Sequence, residues 1–425
     1  MHSLTKLILK DMKPALGVTE PGAIAFATAK AKSFTHGFVE KVELILNSGM
    51  YKNAFTCGIP NSTHVGNLYA AALGVIAGDH EKGLESLSNV TEADNAAAIK
   101  MVEDDKITVK LSEISPDIFI QAVVKTATDS AEVTIRDSHT NITQIIVNGE
   151  TVFEKPLEKK SEEYLVTNEI HQYTLKDLVE YAKTIDIDEI SFVKEAYLVN
   201  LALFEEGLGS TQTTFIHQLL DMNDNQVISK NELKTAQLLC NGAIEARVLG
   251  LSKPAMSITG SGAHGIICTM PLYAVYKIRG LSEDMLLRAT VLSYLITIYI
   301  KEYSGRLSAF CGCAIAAGTG MACALLFLMD GTLQQMSQCI NNMASSITGM
   351  ICDGGNQGCT MKGIVAVDAA FKSLELAMGN AYIYSIHGIN GRTPEETMKN
   401  MGLIASPGMI ATEKTIIDIM ERKLP

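Results

Sequence analysis

Between about residues 105 and 155 the chain carries three runs, KITVKLSE, IFIQAVVKTATDSAEVTIRDS and TNITQIIVNGETVFEK, in which β-branched and polar residues alternate. A two-residue period puts one set of side chains on each face of a strand, so these runs predict an antiparallel sheet with one buried face. After Thr174 the period changes. TLKDLVEYAKTI, FVKEAYLVNLALFEEGL, SKNELKTAQLLCNGAIEARVLG and SEDMLLRATVLSYLITIYIKEY all carry helical spacing behind plausible caps. Strands and helices are therefore segregated along the chain, and the expected fold class is α+β.

The earlier part adds helices at 3–12 and 21–33, a strand from Val39 to Leu46, and helices at 67–78 and 92–103. The expected organisation is a pair of N-terminal helices (1–34) packing on a helical part, an α+β part with antiparallel strands (35–165), and a larger, mainly helical part (166–425). EKPLEKKSEEY, 154–164, is the expected linker, and Gly-rich breaks are expected at 257–265, 305–320, 353–358 and 388–391.

Hydrophobic residues make up 47% of the chain and charged ones 19%, enough apolar material for a large core. The net charge of −12, without a clustered Lys/Arg run, argues against a nucleic-acid surface. Ala309–Met329 is 21 residues without a charge, long enough to span a bilayer. It lacks aromatic and basic flanks and its first half is Gly, Ala and Cys, so a buried helix is expected there instead. With no secretory signal at the start, the expectation is a cytoplasmic protein with no membrane or nucleic-acid partner, and homo-oligomerisation is left open.

Six of the nine cysteines fall between 311 and 359. An odd number in a chain without a secretory signal does not suit a disulfide framework. Cys240, Cys323 and Cys339 sit inside apolar helices, where cysteine behaves as a small hydrophobe. Cys352 and Cys359 instead flank a Gly-rich loop, which lets backbone N–H groups approach bound sulfur. A third thiolate from Cys311 or Cys313 would leave one metal position open for a Lewis acid. Zinc is the other candidate from thiolates alone, although its structural sites usually close with a fourth Cys or His.

Three polar loops accompany the thiols. SITGSGAHG, 257–265, has the composition of an anion-binding turn and contains Ser261, Gly262 and His264. CGIPNSTH, 57–64, offers Asn61, Ser62, Thr63 and His64, and RDSHTN, 136–141, offers His139 and Asn141. Ahead of them all, GVTEP places Thr19 and Glu20 at the mouth of a small-residue helix, Thr19 as a cap and Glu20 facing an amine or a neighbouring donor.

Taken in order, PALGVTEP, SGMYKN, GIPNST, HTNI, GSGAHG, FCGC and MICDGGNQGC resemble the iron–sulfur-dependent serine dehydratase/cysteine desulfidase family over residues 13 to about 420, most closely its single-chain desulfidase branch. The resemblance implies a [4Fe–4S] cluster in the helical part, which becomes the catalytic domain. Its ligands would be Cys313, Cys352 and Cys359, with Cys311 as the alternative to Cys313. It implies β-elimination from a small L-amino acid, L-cysteine to pyruvate, ammonia and sulfide or L-serine to pyruvate and ammonia, with no pyridoxal phosphate.

Thr19, Asn61, Ser62, Thr63, Asn141, Ser261 and Gly262 would then bind substrate, with Glu20 beside the chemistry. Three departures stand out. The branch typically reads GCTEP, with the cysteine as proposed base, and here the position is Val18. GSGNQG is here GSGAHG. Gly355-Asn356 stands where Ala-Lys is common. His64, His139 and His264 are the candidate replacement bases, since imidazole titrates near neutrality. The competing expectation is a diverged member without lyase activity that binds or senses a small molecule or metal.

Overall fold

The computed structural model of the chain describes residues 1–156, 169–305 and 307–423. Its first strand, β1 (Lys13–Leu16), pairs antiparallel with β8 (Pro254–Ser257), far along the chain. PALG reads in the sequence as a turn because of Pro14. Proline is nevertheless tolerated in a two-stranded ribbon, where one edge needs no N–H donor.

The main sheet has the order β3-β2-β4-β5-β6-β7, with β2 at Val39–Leu46, β3 at Ile107–Leu111, β4 at Phe119–Thr126, β5 at Ser130–Arg136, β6 at Ile142–Val147 and β7 at Glu150–Glu154. The fold class is α+β, as expected. The sheet is mixed rather than wholly antiparallel, because β3 runs parallel to β2. A parallel partner needs a crossover that carries the chain back to the starting end, and the helices between residues 47 and 106 provide it.

One face of the sheet is apolar, with Val42, Leu44, Leu46, Ile120, Ala122, Val124, Val133 and Ile135 fully buried. The helix Thr19–Lys32 lies against β4 and β5 and packs on the helix Gly66–Ala77. Its run of alanines permits this: a Cβ on Gly74 would stand 2.1 Å from Thr28 Oγ1, so the two backbones touch.

Beyond the sheet the helices Glu232–Val248, Gly262–Arg279, Glu283–Ser304, Gly318–Leu328 and Gly358–Met378 pack on one another around an almost wholly apolar interior. Other helix starts are written in the sequence where Thr precedes them. Thr91, Thr174 and Thr332 each close a capping box with Asp94, Asp177 and Gln335. The break expected at 257–265 is in fact a strand end, a tight turn and the first residues of a helix.

The segment 309–329 is not one helix. Phe310 forms a bridge with Ile351, and Cys313–Ala317 winds as a widened turn in which Ala317 N–H reaches Gly312 C=O at 3.0 Å. Only Gly318–Leu328 is regular α-helix. Pairing with the 350–352 segment competes with helix formation and wins from Ala309 to Cys311. No helix of the described residues is long and apolar enough to cross a membrane. The expected linker lies, beyond Pro156, outside the described residues.

The C-terminal helix Ile410–Glu421 docks on the short helix Ser48–Asn53, and the contact is ionic. Lys52 Nζ donates to Glu413 Oε2 at 2.8 Å and to the carbonyls of Ser308 and Cys352 at 3.0 and 2.9 Å. Its side chain is wholly buried. Removing one partner of such a pair strands the other charge out of water. Lys52→Met is therefore expected to cost about 3–5 kcal/mol in urea unfolding, and Lys52→Met/Glu413→Leu to recover part of that loss.

Candidate active site

Two sets of groups meet where the helix Thr19–Lys32 begins. Gly17 turns the chain out of β1 with φ +66°, and a Cβ there would lie 2.9 Å from Pro60 Cγ. This left-handed turn and close approach bring GVTEP against the CGIPN loop. Val18 takes the cap position in extended conformation and no side chain caps the helix. Thr19, expected as the cap, is already the first helical residue, and its hydroxyl instead accepts a 3.5 Å hydrogen bond from Arg247 Nη2.

Glu20 is buried, with Asn53 Nδ2 donating to Oε1 at 2.9 Å and His139 Nε2 3.7 Å from the same oxygen. Burial is the largest influence on this carboxyl and raises its pKa. The opposing pull of His139, Asn53 and Arg247 is greater and lowers it to about 2. The turn 257–265 supplies the next layer. Thr259 sits at φ +51°, an uncommon conformation for a β-branched residue. Asp11 holds its N–H at 2.5 Å, and its hydroxyl is 2.5 Å from His264 Nδ1.

Gly262 opens the helix Gly262–Arg279, where a Cβ would lie 2.6 Å from Arg247 Nε. His264 turns its ring toward the cysteines: a Cβ on Gly312 would meet its Nε2 at 2.7 Å. Burial first, then the charges of Lys301 and Arg247, depress its pKa well below the ordinary imidazole value, so it stays neutral.

The thiols come from two segments zipped together. Cys311 N–H bonds to Met350 C=O at 3.0 Å, and Cys352 N–H to Ala309 C=O at 2.6 Å. Cys359 stands in the first turn of the helix Gly358–Met378. Gly354 (φ +107°) packs on the Lys52 carbonyl, and Gly355 N–H bonds to Asn53 C=O at 3.0 Å.

Val18 is 2% exposed and fits against this loop. A Cβ on Gly355 would lie 2.5 Å from Val18 Cγ1 and 3.3 Å from Cγ2. All four thiols are free and feel one another. A hydrogen bond from Cys313, with help from Ala314 N–H and Lys362, lowers Cys311 to about 7. The same pairing and burial push Cys313 up, and burial pushes Cys359 up to about 11. Lys362, ion-paired with Asp353, and Lys52 lend positive charge to the set.

Among the described residues no three His, Cys, Asp or Glu side chains converge tightly enough for a single metal ion. A thiol-only set spread over separate segments, with a Gly-rich loop and two cations beside it, suits a multi-iron cluster, in which the thiolates fall on different irons.

Of the residues singled out in the sequence, Thr19, Glu20, His139, Gly262, His264 and the four cysteines belong to this region. Ser261 closes the turn with mutual backbone bonds to Ile258. The others serve their own loops. Asn61 donates to Leu87 and Ser88 carbonyls. Ser62 accepts from His64 N–H, Thr63 is exposed, and the His64 ring stacks on Tyr69. Asn141 ties Arg136 C=O to Lys155.

Sequence reasoning missed Arg247, Lys52, Asn53 and Thr259. A signal for Arg247 existed: Glu245 and Arg247 are charges inside the otherwise apolar LLCNGAIEARVLG. A cleft of about 440 Å³ reaches inward to His139 and Gly260, with Lys10, Lys13, Ser257 and Thr140 among its walls.

The sequence profile of the serine dehydratase alpha chain matches residues 81–418. A UPF0597 protein of Clostridium botulinum (strain Langeland) is 40% identical over 423 residues, 98% of each chain. One from Clostridium tetani is 34% identical over 417 residues, 98% of this chain and 97% of its own. One from Elusimicrobium minutum is 32% identical over the full length of both. With a profile that matches most of the chain and relatives that run its whole length, this protein belongs to the serine dehydratase alpha-chain family.

Proposed function

We propose that the protein is a [4Fe–4S]-dependent lyase that eliminates the β-substituent of a small L-amino acid, L-cysteine or L-serine. The observation that carries the reading is a set of four free thiols joined, through Asn53, to a buried carboxylate–imidazole pair. Cys352, Cys359 and Cys313, with Cys311 as the alternative to the last, would hold the cluster. When bound it supplies a Lewis acid for the leaving group.

The rest falls to the chain's own side chains. With Nε2 turned toward Glu20, 3.7 Å away, His139 keeps Nδ1 for the substrate's Cα proton. The β-substituent departs with the bonding pair. The resulting aminoacrylate takes up water and releases pyruvate and ammonia. Neutral His264 can hydrogen-bond a reacting group but accepts a proton poorly, because its own pKa is so depressed. Val18, which cannot accept a proton, favours a second reading: a member that keeps the thiol set without turnover.

Anaerobic reconstitution with iron and sulfide separates these readings. The wild-type protein is expected to turn brown and to release pyruvate from L-cysteine or L-serine, and Cys352→Ser and Cys359→Ser to lose the colour. A colourless protein with one zinc per chain overturns the cluster assignment, and a brown protein that yields no pyruvate supports the second reading.

His139→Gln is expected to lower pyruvate formation by roughly 100-fold or more with iron and sulfide content unchanged. An undiminished rate removes His139 as the base. The Glu20 carboxyl, at about 2 against an ordinary 4.5, contributes stability that is complete above the ordinary value and is lost as pH falls toward the folded one. Melting temperatures measured between these two pH values should therefore decline more steeply for the wild type than for Glu20→Gln.

A further inference from the structure

Arg247 is 4% exposed and lies in the last turn of the helix Glu232–Val248. Among the described residues its hydrogen bonding amounts to the 3.5 Å bond to Thr19, and its Nε has no partner. A guanidinium carries five donors in a fixed fork and is costly to bury without an acceptor. Glu20 feels its charge but does not bond to it, because that carboxylate is taken up by Asn53 and faces His139.

Two helices begin beside the guanidinium. Thr19, which it touches, opens the helix Thr19–Lys32, and Gly262, whose hydrogen atom faces Nε, opens the helix Gly262–Arg279. Neither helix has a side-chain cap. Two uncapped helix starts, with the positive ends of their dipoles, therefore adjoin a guanidinium whose Nε has no partner. Any side chain at 262 would obstruct the approach.

We infer that Arg247, the Thr19 hydroxyl and the amino ends of these two helices form an anion site that takes the carboxylate of a small α-amino acid. The site rests on the lyase reading only for the identity of the molecule that bears the carboxylate. It explains why a charge is kept where a methionine would pack: Arg247 is held for a ligand.

The test uses a ligand without a leaving group, so that binding is read apart from turnover. Calorimetry on the reconstituted protein is expected to show L-alanine binding at least tenfold more tightly than L-alaninamide. Arg247→Met should lose L-alanine affinity roughly 30- to 100-fold while its melting temperature without ligand holds or rises. Arg247→Lys, which keeps the charge without the fork, should retain an intermediate preference and serves if the methionine variant does not fold.

Equal binding of L-alaninamide and L-alanine, or an Arg247→Met protein that keeps its L-alanine affinity, overturns the inference. If neither L-cysteine nor L-serine yields pyruvate while the carboxylate preference and its loss in Arg247→Met hold, the lyase reading fails and the anion site stands. If turnover is present and Arg247→Met lowers kcat without raising KM, the anion site fails and the lyase reading stands.

Discussion

One ammonium group, sealed from water, sets the geometry of the region around the cysteines. Lys52 draws together the carbonyls of Ser308 and Cys352 and the carboxylate of Glu413, which belong to three segments far apart in the chain. Its neighbour Asn53 holds Glu20 through its side chain and Gly355 through its backbone. The two residues at the end of one short helix therefore fix the thiol loop, the first turn of the helix Thr19–Lys32 and the C-terminal helix relative to each other. Desolvation makes this arrangement strict, since a buried charge tolerates few alternatives to its own acceptors.

The distribution of charge inside follows the same economy. Negative charge at Glu20 is held by Asn53 and His139, and the thiols draw on Lys362 and Lys52. His264, walled by Lys301 and Arg247, is kept neutral. The widened turn at Cys313 belongs to this pattern too, because it places a cysteine where a regular helix would have swept it away from the 350–352 segment.

Much of the fold was legible because it depends on periods a few residues long. Alternation marked strands β2 to β7, and helical spacing marked the helices after Thr174. What the sequence concealed depends on partners distant in the chain. β1 looked like a turn because Pro14 was read without its partner Met256, far along the chain. The parallel pairing of β3 is set by the crossover, not by the composition of β3. The thiol set was visible from Cys, Gly and spacing, and Glu20 and His139 from their dense polar loops. The role of Arg247 was not, since nothing local distinguishes a guanidinium that snorkels to solvent from one that ends against two helix termini. Asn61, Asn141 and His64 show the converse: residues of reactive type can be engaged by neighbouring structure away from the thiols.

The contact between Val18 and Gly355 also ties the helix mouth to the thiol loop. The volume a methyl group would need at 355 already holds the Val18 side chain, so alanine there and valine at 18 crowd one another. Glycine at 355 is compatible with a smaller residue at 18 and leaves only a gap. The two positions therefore form one packing unit, in which the size of the side chain at 18 sets how closely the loop that carries Cys352 and Cys359 can approach.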